Sequence, residues 1–129
     1  MISPTGKGIR DADKWGSGAH GASRGTRRHN GVDFICEPGQ SVVSPITGTV
    51  VRVARPYADS PFSGVLIENA QISIKMFYLL PDMKLIGQEV PKGRFVGVAQ
   101  DIAVKYPGIM PHIHLQVDRI DPGLFLNMP

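Results

Sequence analysis

The sequence predicts an all-β domain, a sandwich or open barrel of short strands with long loops and a Gly-rich N-terminal arm. Three observations carry this. Gly (15) and Pro (11) together make about a fifth of the 129 residues, which favours many turns over long helices. Short β-prone runs recur at a spacing of roughly eight to twelve residues, as in sandwiches and barrels. No internal repeat or linker divides the chain, and its length suits one core.

Residues 1–28 hold Gly6, Gly8, Gly16, Gly18, Gly21 and Gly25 and few apolar side chains. They read as an extended or looped arm, anchored by Ile9 and Trp15, ahead of a folded domain over 29–129. Val32–Cys36 reads as a strand and Glu37-Pro38-Gly39 as a turn, with Pro fixing φ and Gly supplying φ > 0. Gln40–Ser44 is a short strand and Pro45–Gly48 a turn. Thr49–Arg55 alternates, with Thr49, Val51 and Val53 on one face and Arg52 on the other. Pro56 ends it, and 56–64 is a loop. Val65–Asn69 and Ile72–Leu80 form a hairpin, with Ile72, Ile74, Met76, Tyr78 and Leu80 sharing a face. A connection over 81–88 and a turn over 89–93 lead to a strand at Phe95–Ala99. The next loop runs to Pro111, with a short helical turn near Ile102–Tyr106, and Ile113–Asp118 is the final strand.

The charge of +3 fits an anionic polymer such as cell wall and equally an ordinary surface. Arg24, Arg27 and Arg28 gather just before His29, but no nucleic-acid motif is present. No apolar run is long enough to span a membrane, and Met1 to Trp15 lacks the apolar stretch of a signal peptide. The expected setting, extracellular, periplasmic or virion-associated, is then reached by another route or after removal of a leader. Cys36 is the only cysteine, so no intrachain disulfide forms, and it reads as a buried small hydrophobe.

The chemistry concentrates in the histidines, of which there are only four: His20, His29, His112 and His114. His29 and Asp33 enclose Asn30-Gly31-Val32, and His112 and His114 enclose Ile113. On a strand, residues i and i+2 point the same way. His112 and His114 thus share one face, with Ile113, Leu115 and Val117 on the other. A pair of solvated surface histidines is the plain alternative. His29 and Asp33 reach a common face if His29 joins the strand, and Gly31 lets the backbone bend between them. Zinc accepts imidazole nitrogen and carboxylate oxygen, and catalytic zinc keeps three protein ligands and one open position. Neither cluster is specific alone; together, in a chain so poor in histidine, they point to a metal site. No His-Glu-x-x-His helix is present.

Four stretches, Arg28 to Phe34, Pro45 to Val50, Gly93 to Gly97 and Pro111 to Leu115, resemble the lysostaphin-type zinc endopeptidases in order and spacing. The resemblance covers most of the chain. It implies an antiparallel β fold with a substrate groove, a Zn2+ cofactor, and hydrolysis of peptide cross-links in peptidoglycan. It also implies His29, Asp33 and His114 as zinc ligands, with His112 as the catalytic histidine. There is one departure. Active members carry a further histidine in a Tyr-x-His-Leu segment, and Leu80 of Tyr78-Leu79-Leu80-Pro81 takes that place here. The stretches Lys75 to Tyr78 and Lys105 to Gly108 also look like the leukocyte cell-derived chemotaxin branch, which keeps zinc but is regarded as lacking peptidase activity.

Strand alternation puts Tyr78 on the face of Leu80, so Tyr78 is a second catalytic candidate and, equally, a groove-wall aromatic. His20, in the arm, reads as a loop histidine. Two functions follow. The first is a zinc-dependent peptidoglycan endopeptidase, with substrate between loops 56–64 and 100–111. The second is an inactive zinc-binding module whose partners are cell-wall fragments, a receptor, or subunits of a virion or secretion apparatus.

Overall fold

The computed structural model describes residues 1–10 and 31–121, with the backbone of two short strands within 23–28. Strands β1 (Ser23–Arg24) and β2 (Arg27–Arg28) pair with each other. They are followed by β3 (Val32–Ile35), β4 (Ser41–Val43), β5 (Gly48–Ala54), β6 (Gly64–Glu68), β7 (Ile72–Phe77) and β8 (Leu79–Pro81). The last three are β9 (Glu89–Val90), β10 (Phe95–Ala99) and β11 (His112–Ile120). Two 3-10 turns, Met83–Leu85 and Ile102–Val104, are capped by Asp82 and Asp101, whose carboxylates accept backbone N–H groups two residues on.

The expected all-β architecture is present as two open antiparallel sheets in addition to the β1–β2 pair. The larger has the order β3-β11-β7-β6-β5-β9 and the smaller β4-β10-β8. The core lies between them. Val65, Ile67, Ile74, Met76, Ile113 and Leu115 of the large sheet pack with Val42, Leu79, Val96 and Ala99 of the small one. Each large aliphatic side chain so buried contributes about 1.5–3 kcal/mol.

Register decides what the large sheet carries on its outer face. Residues paired directly across antiparallel strands share a face. Phe34–Ile113 and Leu115–Met76–Val65 therefore lie on the core side. The next row, Asp33–His114–Phe77–Gly64, crosses β3, β11, β7 and β6 on the opposite side. The backbones approach closely enough here that a Cβ at Gly31 would fall on the Leu115 carbonyl.

Residues 1–10 run along both sheets. Ile2 N–H donates to the Pro45 carbonyl and Val43 N–H to Pro4, beside the small sheet. Ile35 N–H donates to Gly8, and Arg10 N–H to Asp33, along the edge of the large one. The anchors differ from expectation: Pro4 and Arg10 are buried, whereas Ile9 is half exposed and engages through a backbone bridge to Phe34. Trp15 lies outside the described residues.

Three further details depart from the sequence reading. Tyr78 has φ 76°, which ends the alternation of β7 and turns the chain into the small sheet. Tyr78 and Leu80 accordingly do not share a face by strand alternation. Leu80 pairs with Val98 on the exposed side of the small sheet. In β5 a bulge between Val50 and Arg52 resets the register, and Gly48, Val50 and Ala54 are the buried residues while Thr49, Val51 and Val53 are half-buried. Glu89–Val90, read as part of a turn, pairs with Gly48–Thr49 as a two-residue strand.

Candidate metal centre and active site

The first functional element is a carboxylate out of water. Asp33 is 1% exposed, and burying a carboxylate is costly unless cations and donors meet it. Its two oxygens have different partners. Oδ1 lies 2.8 Å from His114 Nδ1. Oδ2 accepts from Arg10 Nε at 3.1 Å and lies 3.5 Å from His112 Nε2. Sequence separation is large, 81 residues for the Asp33–His114 pair, and strand register closes it: Asp33 on β3 stands directly opposite His114 on β11. The His114 ring stacks on Phe77, the next member of the row, with centroids 6.0 Å apart and planes 12° apart.

His112 lies two residues along β11 and is buried on the same face. Its Nδ1 lies 2.9 Å from the Met110 carbonyl. A carbonyl only accepts, so Nδ1 carries the proton and the neutral ring presents a lone pair at Nε2. Burial holds this imidazole below its ordinary pKa, with the Asp33 carboxylate and the Met110 carbonyl pulling the other way.

Tyr78 packs edge-on against His112, with centroids 5.3 Å apart and planes 86° apart. Its positive φ is secured by backbone bonds from Tyr78 N–H to the Ser63 carbonyl and from Gln100 N–H to the Tyr78 carbonyl, both 2.8 Å. Its hydroxyl lies 2.9 Å from Tyr57 Oη, which lies 2.9 Å from Tyr106 Oη. Lys105 Nζ sits over the Tyr57 ring, 4.5 Å from its centroid. Under these phenols lies a second apolar cluster of Phe62, Ile102 and Ile109, so loops 56–64 and 100–111 are joined beside His112.

The expected site residues fall as follows. Asp33, His112 and His114 converge, and Tyr78 adjoins His112. His29 and His20 lie outside the described residues. Among the described residues, no three His, Cys, Asp or Glu side chains are arranged to hold a metal ion. The donor types that meet here, a carboxylate oxygen of Asp33 and an imidazole nitrogen of His114, are ones that zinc accepts.

Sequence reasoning missed Arg10, Tyr57 and Tyr106. Arg10 stands in a Gly-rich segment with no motif around it. Only its burial beside a carboxylate, a rare state for arginine, reveals it. Tyr57 and Tyr106 had a weaker signal, an aromatic in each of the two loops placed around the site.

Comparison with known proteins extends these observations. No family model matches the chain. It is 36% identical over 121 residues to leukocyte cell-derived chemotaxin-2 of Bos taurus, covering 92% of this chain and 79% of that protein. The Mus musculus protein of the same name is 34% identical with the same coverage. Among solved structures, a peptidase from Pseudomonas aeruginosa superposes with a TM-score of 0.63 at 20% identity, over 98% of this chain and 49% of that one. A zinc-containing peptidase from Vibrio cholerae gives 0.53 at 28% identity, over 70% of this chain and 26% of that one. The catalytic domain of lysostaphin from Staphylococcus simulans gives 0.54 at 24% identity, over 78% and 80%.

Proposed function

Because this chain belongs to the lysostaphin-type family, on its leukocyte cell-derived chemotaxin-like branch, we propose that it is a zinc-dependent peptide hydrolase acting on peptidoglycan peptides. The observation that supports this reading is the meeting of Asp33, His114 and His112 on one face, with a carboxylate and an imidazole in contact and a second imidazole whose Nδ1 meets the Met110 carbonyl.

In this reading His29, Asp33 and His114 hold the ion. Bound zinc supplies Lewis-acid polarisation of a carbonyl and brings the pKa of water toward ~7. His112 Nε2 takes the proton of the attacking water and passes it to the leaving amine. Asp33 faces Nε2 and stabilises the imidazolium between those steps. Tyr78 donates to the developing oxyanion, the work done by the histidine that Leu80 replaces. Such a substrate places the protein outside the cytoplasm, in the medium, the periplasm or a virion, beside virion or secretion-apparatus subunits. Among the described residues no helix is long and apolar enough to cross a membrane.

A second reading has its own support. Leu80 lies exposed on the small sheet, and the 36% identical relative is named as a chemotaxin. A zinc-stabilised binding module for cell-wall fragments or a receptor accounts for both. Clearing of purified peptidoglycan, followed by turbidity, decides between them. The hydrolase reading expects clearing that is abolished by His112→Ala and by a chelator. No clearing from about pH 6 to 9, the range around the pKa of zinc-bound water, leaves the binding module standing.

A further inference from the structure

We propose that Arg10 is a positioning residue of the metal centre, whose guanidinium holds the Asp33 carboxylate in the rotation that aims Oδ1 at His114 Nδ1. The inference rests on the zinc part of the reading above and not on hydrolysis.

Register brings Arg10 to the site. The bridge between Ile9 and Phe34 is antiparallel, which sets Arg10 opposite Asp33. Two main-chain bonds fix this pairing, from Arg10 N–H to the Asp33 carbonyl and from Ile35 N–H to the Gly8 carbonyl, both 2.8 Å. On its other side Asp33 stands opposite His114. The row on the outer face therefore begins one segment earlier, as Arg10–Asp33–His114–Phe77–Gly64. Residues paired across antiparallel strands share a face, so Arg10 and His114 reach the carboxylate from its two sides.

The terminal torsion of an aspartate is broad and roughly two-fold. Backbone placement alone thus leaves the carboxylate able to turn. Arg10 Nε donates to Oδ2 at 3.1 Å, and His114 Nδ1 lies 2.8 Å from Oδ1, so each oxygen has its own direction. A guanidinium suits this work because it is always charged and its donors lie in a rigid plane, which an ammonium on a flexible stem does not offer. Both side chains are out of water, 0% and 1% exposed. Stability alone is a poor reason for such a pair, since apolar side chains of similar volume often serve a buried space as well or better. A metal centre supplies a better one. Carboxylates that ligate a metal are themselves held by hydrogen bonds, and losing such a partner costs about 10–100-fold in metal affinity.

Charge by itself argues the opposite. A guanidinium repels a nearby dication, so on Coulomb's law alone a protein without Arg10 would bind zinc more tightly. Orientation requires weaker binding. The sign of the change separates the two.

The test measures zinc affinity of the whole chain by competition with a chromophoric chelator, in the wild type, Arg10→Lys and Thr5→Val. Arg10→Lys keeps the charge and removes the planar, directed donor. Thr5→Val removes the bond from Thr5 Oγ1 to the Ile35 carbonyl, 2.7 Å, and loosens the same segment without touching the carboxylate. Arg10→Lys is expected to bind zinc about 10–100-fold more weakly, with Thr5→Val equal to the wild type. Unchanged or tighter binding in Arg10→Lys, or an equal loss in Thr5→Val, overturns the proposal. Because Arg10→Lys can fail to fold, the wild type is also followed by NMR. A slowly exchanging Arg10 Nε–H resonance is expected both without zinc and with it, and its loss to fast exchange on loading overturns the proposal. A wild type that binds zinc but cleaves nothing removes the hydrolase reading and leaves these two measurements to judge Arg10. A wild type with no affinity for zinc removes the zinc reading and this proposal together.

Discussion

Asp33 and His114 face each other across the β3–β11 pair, with His114 Nδ1 2.8 Å from Asp33 Oδ1, and the other carboxylate oxygen accepts from Arg10 and lies 3.5 Å from His112 Nε2. One buried carboxylate thus joins the N-terminal segment, the edge strand and the neighbouring strand. The candidate site and the fold share a residue, so the same substitution has consequences for both.

The first consequence is an asymmetry in stability without metal. Asp33→Ala removes the carboxylate that Arg10, His112 and His114 all approach, and Arg10 is as buried as its partner. Breaking a buried pair from one side costs about 3–5 kcal/mol. His114→Ala removes the hydrogen bond to Asp33 and the ring stacked on Phe77 but leaves the Arg10–Asp33 pair, a smaller loss of about 1.5–3 kcal/mol. Urea unfolding in the presence of a chelator should show this gap. Equal losses would mean that the carboxylate is not the hub.

The register that creates the pair depends on a glycine. A Cβ at Gly31 meets the Leu115 carbonyl oxygen and crowds Gln116 Cα, both backbone, so no rotamer change relieves it. Gly31→Ala should cost upward of about 1–3 kcal/mol, the usual scale of overpacking. It should also move β3 away from β11, separating Asp33 from His114. Chemical shifts of the His114 ring in the variant check this; an unshifted ring with full stability would contradict it.

These particulars show what was legible in the sequence. Even spacing put His112 and His114 on one face of a strand, because alternation is a local property. It also put the apolar Ile113 and Leu115 on the core side. The meeting of Asp33 with His114 was expected from the scarcity of histidines and from a family resemblance, not from local pattern, since the closure of a long loop is set by sheet order, which local pattern does not encode. Tyr78 was found for a reason that the structure replaces. Alternation fails at its positive φ, yet the turn itself carries the ring to His112. Arg10 was illegible, because nothing near it in sequence distinguishes a buried arginine from a solvated one.

The last prediction concerns Cys36, read from sequence as a small hydrophobe and found 4% exposed in the main core cluster. Burial pushes its thiol up to about 11, against a smaller opposing pull from Lys7. The thiolate is the nucleophile, so a disulfide-exchange reagent at pH 8 should leave the folded protein untouched and titrate one thiol after denaturation. The same shift has a thermodynamic side. Between the unfolded thiol's pKa near ~8.5 and the folded value, the unfolded chain binds fewer protons than the folded one. Stability must then fall as pH rises through that window, and Cys36 contributes no such slope below it. Cys36→Ser abolishes the thiol titration, so comparing urea midpoints of wild type and variant at pH 7 and pH 10 isolates the effect. The wild type should lose more stability over that interval than the variant. Parallel losses, or rapid modification of the native thiol, would show that the sulfur reaches solvent.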